Sequence, residues 1–322
     1  MKAAILYKPG EMPKYGDFPD PVPQNSDELL VTVKAAAIKN LDRGIASGQH
    51  YTSSAHAQPK TLGIDGVGVL DDGTRIYGHG LTGMIAEKAL VDKNRIVKLP
   101  EKIDDVTAAA LPNAIMGAGA AIRYRAELEA GEVVLINGAT GVTGTVAVQI
   151  AKHYGAKKVI VTGRNNNLLN NLLSLGADET ILLTQDDDQI VQTVKNIHTD
   201  TPIDIVIDYL WGHPAELILA ALQGHGGFTH RIRYVTVGGM AGDKIQLSSG
   251  TLRSSAVEIL GSGIGSLSAV QMKKMLSEMI PEMMQLAIGG KLKIDTVTAK
   301  LEDIETAWNE KTPPAKRLVI VM

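Results

Sequence analysis

Three glycines at a spacing of three residues, Gly138, Gly141 and Gly144, directly follow the apolar run Val133–Ile136. Apolar side chains then recur at helical spacing up to Tyr154. A turn without Cβ atoms lets a pyrophosphate approach the backbone, and the N–H groups and dipole of the following helix attract its charge. The pattern G-x-x-G-x-x-G is weak evidence alone, but a strand before it and a helix after it predict a nucleotide site. The alternative is a glycine turn that is tight for packing reasons only.

The predicted phosphate loop is Gly138, Ala139, Thr140, Gly141, Val142, Thr143 and Gly144. The next apolar run, Val159–Thr162, ends in Gly163, Arg164 and Asn165, which we also assign to the nucleotide. Folds that select NAD usually place a carboxylate here for the ribose 2′-hydroxyl, whereas this chain offers a guanidinium that suits a 2′-phosphate. We therefore expect NADP(H), the alternative for Arg164 being a solvated loop cation.

Further cofactor contacts are expected where later strands end, because ligands of open α/β sheets lie across the carboxyl ends of the strands. The segments DYLWG (Asp208–Gly212) and VGGM (Val237–Met240) follow apolar runs, and so does Gly261–Gly263. Each glycine here is open to the simpler interpretation of an ordinary loop residue. The assigned residues are Asp208, Leu210, Gly238, Gly239, Gly261, Ser262 and Gly263.

The elements around these residues indicate an α/β protein. The 322 residues suffice for two domains, of which the first hundred residues are β-rich. From Thr107 to about residue 262, apolar strands alternate with amphipathic helices, which predicts a parallel sheet wound on both faces. The candidate strands are Lys2–Tyr7, Leu29–Val33, Val67–Leu70, Ile96–Leu99, Val133–Asn137, Val159–Thr162, Thr180–Leu183, Ile203–Asp208, Tyr234–Val237, Val257–Leu260, Asp295–Ala299 and Lys316–Val321.

Composition narrows the function classes. A formal net charge of −3 gives no basic face for nucleic acid, and no cysteine is present for a disulfide, a thiolate zinc site or a thiol nucleophile. Paired hydrolase carboxylates and a G-x-S-x-G motif are also missing, so acyl transfer and glycoside hydrolysis have no support. The apolar run at the N-terminus is short, and no stretch is long enough to cross a bilayer, so we expect a cytoplasmic protein without a membrane partner.

The order of these segments resembles the medium-chain dehydrogenase/reductase superfamily, specifically its quinone oxidoreductase branch, and the resemblance covers essentially the whole chain. Besides the glycine loop, its carriers are AAAIKNLDRGIASGQHY (Ala35–Tyr51), LGIDGVGVL (Leu62–Leu70), AVQIAKHYGA (Ala147–Ala156), SLGADETI (Ser174–Ile181) and VTVGGMAG (Val235–Gly242). The resemblance implies a GroES-like β-barrel catalytic domain at residues 1–112 and 263–322. It also implies an inserted Rossmann domain, a doubly wound parallel sheet, at 113–262. A homodimer is implied as well, with Val257–Leu260 as the candidate strand for pairing across the two-fold axis.

The same resemblance identifies departures from the zinc-dependent relatives. These carry a Cys three residues before an Asp, a Gly-His-Glu segment and a further Cys near the start of the inserted domain. Here Lys39 stands three residues before Asp42, the second segment reads Gly63-Ile64-Asp65, and the chain has no Cys. We therefore expect no zinc and no Lewis-acid catalysis by a metal.

Three residues are candidates for catalysis by this comparison: Lys39, Asp42 and Tyr51. Lys39 could donate a hydrogen bond to an enolate oxygen or steady an anionic substrate, the alternative being a solvent-facing lysine at a strand end. Asp42 matches the family's Asp, but capping a turn or helix is the commoner use. Tyr51 resembles a substrate-loop position, where a phenol either donates a hydrogen bond or packs.

The resemblance thus implies an NADPH-dependent, zinc-independent oxidoreductase that transfers a hydride to a quinone or conjugated carbonyl. An enone (double-bond) reductase and a metal-free alcohol dehydrogenase-like enzyme are the alternatives among enzymes. From another class, a nucleotide-binding sensor or structural protein with little turnover also stays open.

Overall fold

A computed structural model describes residues 1–48, 58–224, 226–227 and 229–322. The chain divides into two compact units, one formed by Met1–Pro112 with Leu276–Met322 and the other by Asn113–Met275. The domain boundaries expected from the sequence, at 112/113 and 262/263, stay a prediction.

The described strands are β1 (Lys2–Leu6), β2 (Lys14–Asp17), β3 (Glu28–Ile38), β4 (Lys60–Thr61), β5 (Asp65–Val69), β6 (Arg75–Gly80), β7 (Lys88–Lys98), β8 (Val133–Asn137), β9 (Lys158–Gly163), β10 (Glu179–Leu182), β11 (Ile205–Asp208), β12 (Arg231–Thr236), β13 (Ala256–Gly261), β14 (Asp295–Lys300) and β15 (Lys316–Val321). The described α-helices are α1 (Asn40–Ala46), α2 (Asp105–Gly119), α3 (Val142–His153), α4 (Asn166–Leu173), α5 (Asp187–Asp200), α6 (Gly212–Ala221), α7 (Ser249–Ser254), α8 (Ala269–Lys274), α9 (Ile280–Ile288) and α10 (Ile304–Asn309). Two π-helical segments, Ala120–Arg125 and Met275–Met279, continue α2 and α8.

The first unit contains a closed antiparallel barrel. Strand β3 pairs with both β5 and β7, and β6 joins those two, so the four strands form a ring. Closure removes the free sheet edges that would invite pairing with other chains. Alternate side chains of these strands, among them Val31, Val33, Ile76, Ala89 and Val91, fill the core. Strands β15 and β14 extend the sheet from β3, and β2-β1-β4 form a smaller sheet.

The second unit is built on a six-stranded parallel sheet with the order β10-β9-β8-β11-β12-β13. In order along the chain, this is the 3-2-1-4-5-6 arrangement of dinucleotide-binding folds. The central strands β8, β9 and β11 are buried apolar runs because helices cover both faces, as expected for a parallel sheet. The strand order reverses between β8 and β11, and the loops after these strands meet at the carboxyl edge where such folds bind ligands.

The fold class expected from the sequence, α/β with a GroES-like barrel and a Rossmann sheet, is confirmed. None of the helices in the described part of the chain combines the length and the apolarity that crossing a bilayer requires.

Candidate nucleotide site and buried ionic cluster

The middle glycine of the loop opens the N-terminus of α3. Gly141 is the N-cap residue and has no side chain to cap the helix, and a Cβ built on it would have no atom within 4 Å. Among the residues that the structure describes, none fills the space next to Gly141 in front of the first turn of α3. A Cβ there would occupy the space that an anion needs to reach the backbone.

The other two glycines are required for close packing. Gly138 has φ +84°, and a Cβ on it would lie 2.7 Å from Cγ of Leu210. A Cβ on Gly144 would lie 2.5 Å from Cα of Ala139, so this glycine lets α3 approach the end of β8. As in other Rossmann loops, the first glycine allows the tight turn, the second leaves an open approach, and the third allows close contact between helix and strand.

The amides of the loop fall into two groups. The Gly138 amide donates to Oγ1 of Thr162 at 3.0 Å, and the Ala139 amide donates to the Thr162 carbonyl, also at 3.0 Å. Within the described ranges, the amides from Thr140 to Thr143 have no hydrogen-bond partner, as is usual for the first turn of a helix. The second group is therefore available to an anion, while the first holds the loop against β9.

Gly163, Arg164 and Asn165 follow at the end of β9. Gly163 is buried, and a Cβ on it would lie 2.5 Å from Cγ2 of Thr140. Asn165 caps α4 by accepting from the Leu168 amide at 3.1 Å. The guanidinium of Arg164 is exposed, and it makes no ion pair or hydrogen bond with any part of the chain that the structure describes. All its donors are free to bind a phosphate.

Asp208, at the end of β11, is completely buried and accepts four hydrogen bonds. Its Oδ1 receives the Asn137 side chain and the amides of Leu210 and Trp211, and its Oδ2 receives the Tyr234 hydroxyl. Burial raises the pKa of the Asp208 carboxyl above its ordinary value, although the four donors oppose that shift. The structure thus places this predicted cofactor residue inside the protein.

The loops after β12 and β13 use part of their backbone internally. The Gly238 amide donates to the Asp208 carbonyl at 3.3 Å, and the Gly239 carbonyl accepts from Gly242. The Gly261 carbonyl accepts from Arg125 at 2.7 Å, and the Ser262 amide donates to Thr236. A Cβ on Gly261 or Gly263 would meet no atom within 4 Å. Both loops lie at the carboxyl edge of the same sheet as the glycine loop.

In the first unit, Lys39 lies at the end of β3 with its side chain only 2% exposed. Its ammonium donates to the Ala37 carbonyl at 2.9 Å and to Oδ1 of Asp65 at 2.5 Å, and it lies 3.3 Å from Oδ2 of Asp42. Burial lowers the pKa of Lys39, but the charges of Asp42 and Asp65 outweigh it and raise the pKa above its ordinary value. The structure thus excludes a solvent-facing lysine, and the ammonium lies among one carbonyl and two carboxylates.

The two carboxylates of this cluster are also held from other directions. Asp42 accepts from the amides of Lys39, at 2.8 Å, and Ile64, at 3.0 Å, so it closes the first turn of α1. Asp65 accepts from the hydroxyl of Tyr77 at 2.9 Å, and these contacts raise the pKa of Tyr77 further than its burial alone. Asp42 and Lys39 therefore lie together.

The cluster includes a second cation. Arg317 of β15 is buried, and its Nε has no hydrogen-bond partner among the described residues. Burial lowers the pKa of Arg317, whereas the charges of Asp65 and Asp42 raise it. Tyr51, the third catalytic candidate, lies outside the described residues.

Sequence reasoning missed six residues that build these sites: Asp65, Tyr77, Arg317, Asn137, Thr162 and Tyr234. Asn137 and Thr162 carried a usable signal, because each is a polar residue at the end of an apolar strand run. Among the described residues, no group of three or more His, Asp or Glu side chains is placed to hold a metal ion.

Comparison with known proteins agrees with this architecture. Residues 142–287 match the family model described as zinc-binding dehydrogenase. The chain is 28% identical to the probable NADPH-dependent quinone reductase TdiC of Emericella nidulans, over 96% of each chain. It is 30% identical to the quinone oxidoreductase of Sus scrofa, over 65% of this chain and 66% of that protein.

A solved structure extends the likeness to the whole chain. The quinone oxidoreductase of Thermus thermophilus, which was determined alone and in complex with NADPH, is 25% identical, with complete coverage of both chains and a TM-score of 0.75. Together with the glycine loop and the strand order, these similarities place the chain in the medium-chain dehydrogenase/reductase superfamily, in its quinone oxidoreductase branch.

Proposed function

We propose that this protein is an NADPH-dependent reductase that transfers a hydride to a quinone or a conjugated carbonyl compound, without zinc. The observation that carries the proposal is the N-terminus of α3, where Gly141 leaves an open approach to amides without partners. The names of the Emericella and Sus relatives and the NADPH complex of the Thermus enzyme support the same activity. They do not favour the sensor or structural alternative.

The residues of the loop fit NADP(H). Amides of Thr140 to Thr143 would receive the pyrophosphate, and the free guanidinium of Arg164 would receive the 2′-phosphate. The glycine loops after β12 and β13 would admit the remainder of the cofactor close to the backbone. When bound, NADPH supplies a hydride from its nicotinamide ring, and the protein's part is to orient the rings and exclude water.

Zinc does not fit the residues present. The place where zinc-dependent relatives have their first Cys holds the ammonium of Lys39, which already lies between Asp42 and Asp65. A cation at this point repels a second one, and Ile64 offers no ligand atom. These observations support a reaction without zinc.

The substrate chemistry agrees with a metal-free site. A quinone needs little acid catalysis because solvent protonates its reduced form readily, whereas an enone gains from a donor near its oxygen. Lys39, Asp42 and Tyr51 stay the proposed catalytic residues. For Lys39 to donate to a substrate, it would have to give up one of its three present partners.

We also propose a homodimer joined through β13. This strand forms the edge of the parallel sheet, and its Ile259 is exposed, as are Leu252 of the neighbouring α7 and Ile264 directly after the strand. Exposed apolar side chains beside the outer edge of a sheet support pairing with a second copy. The cytoplasmic location expected from the sequence stays a prediction.

The test is NADPH oxidation with a panel of quinones and enones, measured as the loss of NADPH absorbance. We expect turnover that prefers NADPH to NADH and that persists after treatment with a zinc chelator. Tight NADPH binding without turnover on any compound would support the sensor alternative. Absence of NADPH binding would contradict the proposal altogether.

A further inference from the structure

We propose that Asp208 is a positioning residue, which holds the glycine loop and the following turn in their nucleotide-binding conformation without touching the nucleotide. The inference rests on the proposed function for the identity of the ligand. It replaces the direct contact expected from the sequence with an indirect role.

The Asp208 carboxylate has no accessible acceptor left for a nucleotide. The side chain is fully buried, and both oxygens accept hydrogen bonds. Its four donors are neutral: the Asn137 amide group, two backbone amides and the Tyr234 phenol. A buried carboxylate with this set of donors organises the groups around it.

One arm of the network runs from Asp208 across two strands to the glycine loop. The Asn137 side chain donates to Asp208 at 2.8 Å, and its oxygen accepts from the Thr162 hydroxyl at 2.6 Å. That hydroxyl in turn accepts from the Gly138 amide at 3.0 Å. The direction of every bond is therefore fixed, because Asn137 must donate to the carboxylate and accept from the threonine.

A second arm reaches the same glycine from the other side. Asp208 accepts from the amides of Leu210, at 2.9 Å, and Trp211, at 3.1 Å. Trp211 has φ +53°, a conformation that an L-residue adopts only when its surroundings hold it. Leu210 lies against Gly138, at the point where a Cβ would clash. Both arms therefore converge on the first residue of the loop.

The main chain of Asp208 adds a third connection. Its carbonyl accepts from the amides of Val237 at 2.7 Å and Gly238 at 3.3 Å, at the start of the loop after β12. One residue is thus linked to three of the segments that the sequence assigned to the cofactor. A change in the hydrogen bonds of Asp208 is expected to shift the positions of the free amides at Thr140 to Thr143.

The experiment compares two variants that keep the shape of the side chain while each removes one hydroxyl of the network. Thr162→Val deletes the hydroxyl between Asn137 and Gly138, and Tyr234→Phe deletes the donor to Oδ2 of Asp208. Tyr77→Phe is the matched control, since it removes a buried phenol–carboxylate bond of 2.9 Å in the other unit. Thr162→Ser retains the hydroxyl and serves as the conservative rescue.

Two readouts are used: the Kd for NADPH from fluorescence titration, and hydrogen exchange of the Gly138 and Ala139 amides in the free protein. We expect Thr162→Val and Tyr234→Phe each to raise the Kd for NADPH about tenfold. This corresponds to the free energy of one buried hydrogen bond that holds the loop in its binding conformation. Both variants should also speed hydrogen exchange of the Gly138 and Ala139 amides. Tyr77→Phe and Thr162→Ser should leave the Kd and the exchange rates unchanged. The double variant should weaken binding by less than the product of the two effects, because the bonds belong to one network.

Wild-type Kd and exchange rates in both variants would overturn the positioning role. If the wild-type protein itself bound no NADPH, the proposed function would fail. Hydrogen exchange of the Gly138 and Ala139 amides would still test whether Asp208 holds the loop in place. Faster exchange in the two variants would then support the connection from Tyr234 to the loop, and unchanged exchange would refute it.

Discussion

The charges around Lys39 show what single side chains contribute in this protein. Asp42 and Asp65 are each about 1% exposed, so water screens neither of them. A buried pair is a weak source of stability when intact, because desolvation offsets the attraction. Removing one partner is costly, because the remaining charge stays in the interior.

We therefore predict that Lys39→Met lowers the free energy of unfolding by about 3–5 kcal/mol, as expected for a broken buried ion pair. Asp65→Asn in the same chain should restore part of the loss by removing one of the two stranded charges. Urea titration measures both. Lys34→Met, at an exposed position of β3, is the matched control and should unfold like the wild type.

A second prediction at this scale concerns coenzyme choice. Arg164→Ser should lower the preference for NADPH over NADH by about 10–100-fold, since hydrogen bonds to a charged group contribute about 1.5–3 kcal/mol. The ratio of kcat/KM for the two coenzymes measures it. Arg253→Ser removes an exposed arginine from α7 and should leave the ratio unchanged. An unaltered ratio in Arg164→Ser would mean that its guanidinium is only a solvated cation.

The sequence predicted the candidate site unevenly at the residue scale. The glycines and Arg164 were identifiable because short-range spacing defines a strand, a turn and a helix start. Asp65 and Arg317 of the cluster around Lys39 were not, because Asp65 lies 26 residues from Lys39 and Arg317 comes from the far end of the chain. The pairing of β3 with β5 brings in Asp65, and the pairing of β3 with β15 brings in Arg317.

At the scale of elements, the glycine loop permits a contrast between binding and stability. Gly141→Ala should leave stability unchanged, since its φ is −86° and its Cβ meets open space, but should raise the Kd for NADPH about tenfold. Gly144→Ala should instead lower the free energy of unfolding by about 1–3 kcal/mol, because its Cβ collides with the Ala139 backbone. Thermal unfolding and fluorescence titration distinguish the two.

If Gly141→Ala bound NADPH like the wild type, the anion would not approach the helix at that residue. If Gly144→Ala were as stable as the wild type, the contact of α3 with the end of β8 would be looser than the structure has it.

Among the elements, the parallel sheet was more predictable than the barrel. The bounds of β8 match the prediction, because four consecutive apolar residues define it, and those of β15 match as well, where Lys316 and Arg317 precede four apolar residues. The prediction missed β2, β4 and β6, and it found only the first half of β3 and the end of β7. Strand β6 reads Arg-Ile-Tyr-Gly-His-Gly and gains its strand conformation from pairing on both sides, which a local pattern cannot reveal.

For the whole molecule, the edge strand β13 gives a test of assembly. Ile259→Lys places a charge in the middle of the exposed strand and should convert a dimer into a monomer, because a lysine there opposes pairing. Light scattering after size-exclusion chromatography measures the mass. Leu173→Lys, at a comparably exposed leucine on α4, should leave the mass unchanged. A wild-type monomer would contradict the proposed dimer.

The pairing of β15 with β3 also governs the order in which the molecule can be completed during translation. Strand β3 leaves the ribosome early, yet its partner is made only after the whole of Asn113–Met275. The edge of β3 that pairs with β15 therefore stays unpaired in the nascent chain throughout that interval, and unpaired strand edges are prone to aggregation. The intervening unit contains its own complete sheet and can fold during the wait. Slower synthesis between β7 and β15 would lengthen the time for which nascent chains need a chaperone.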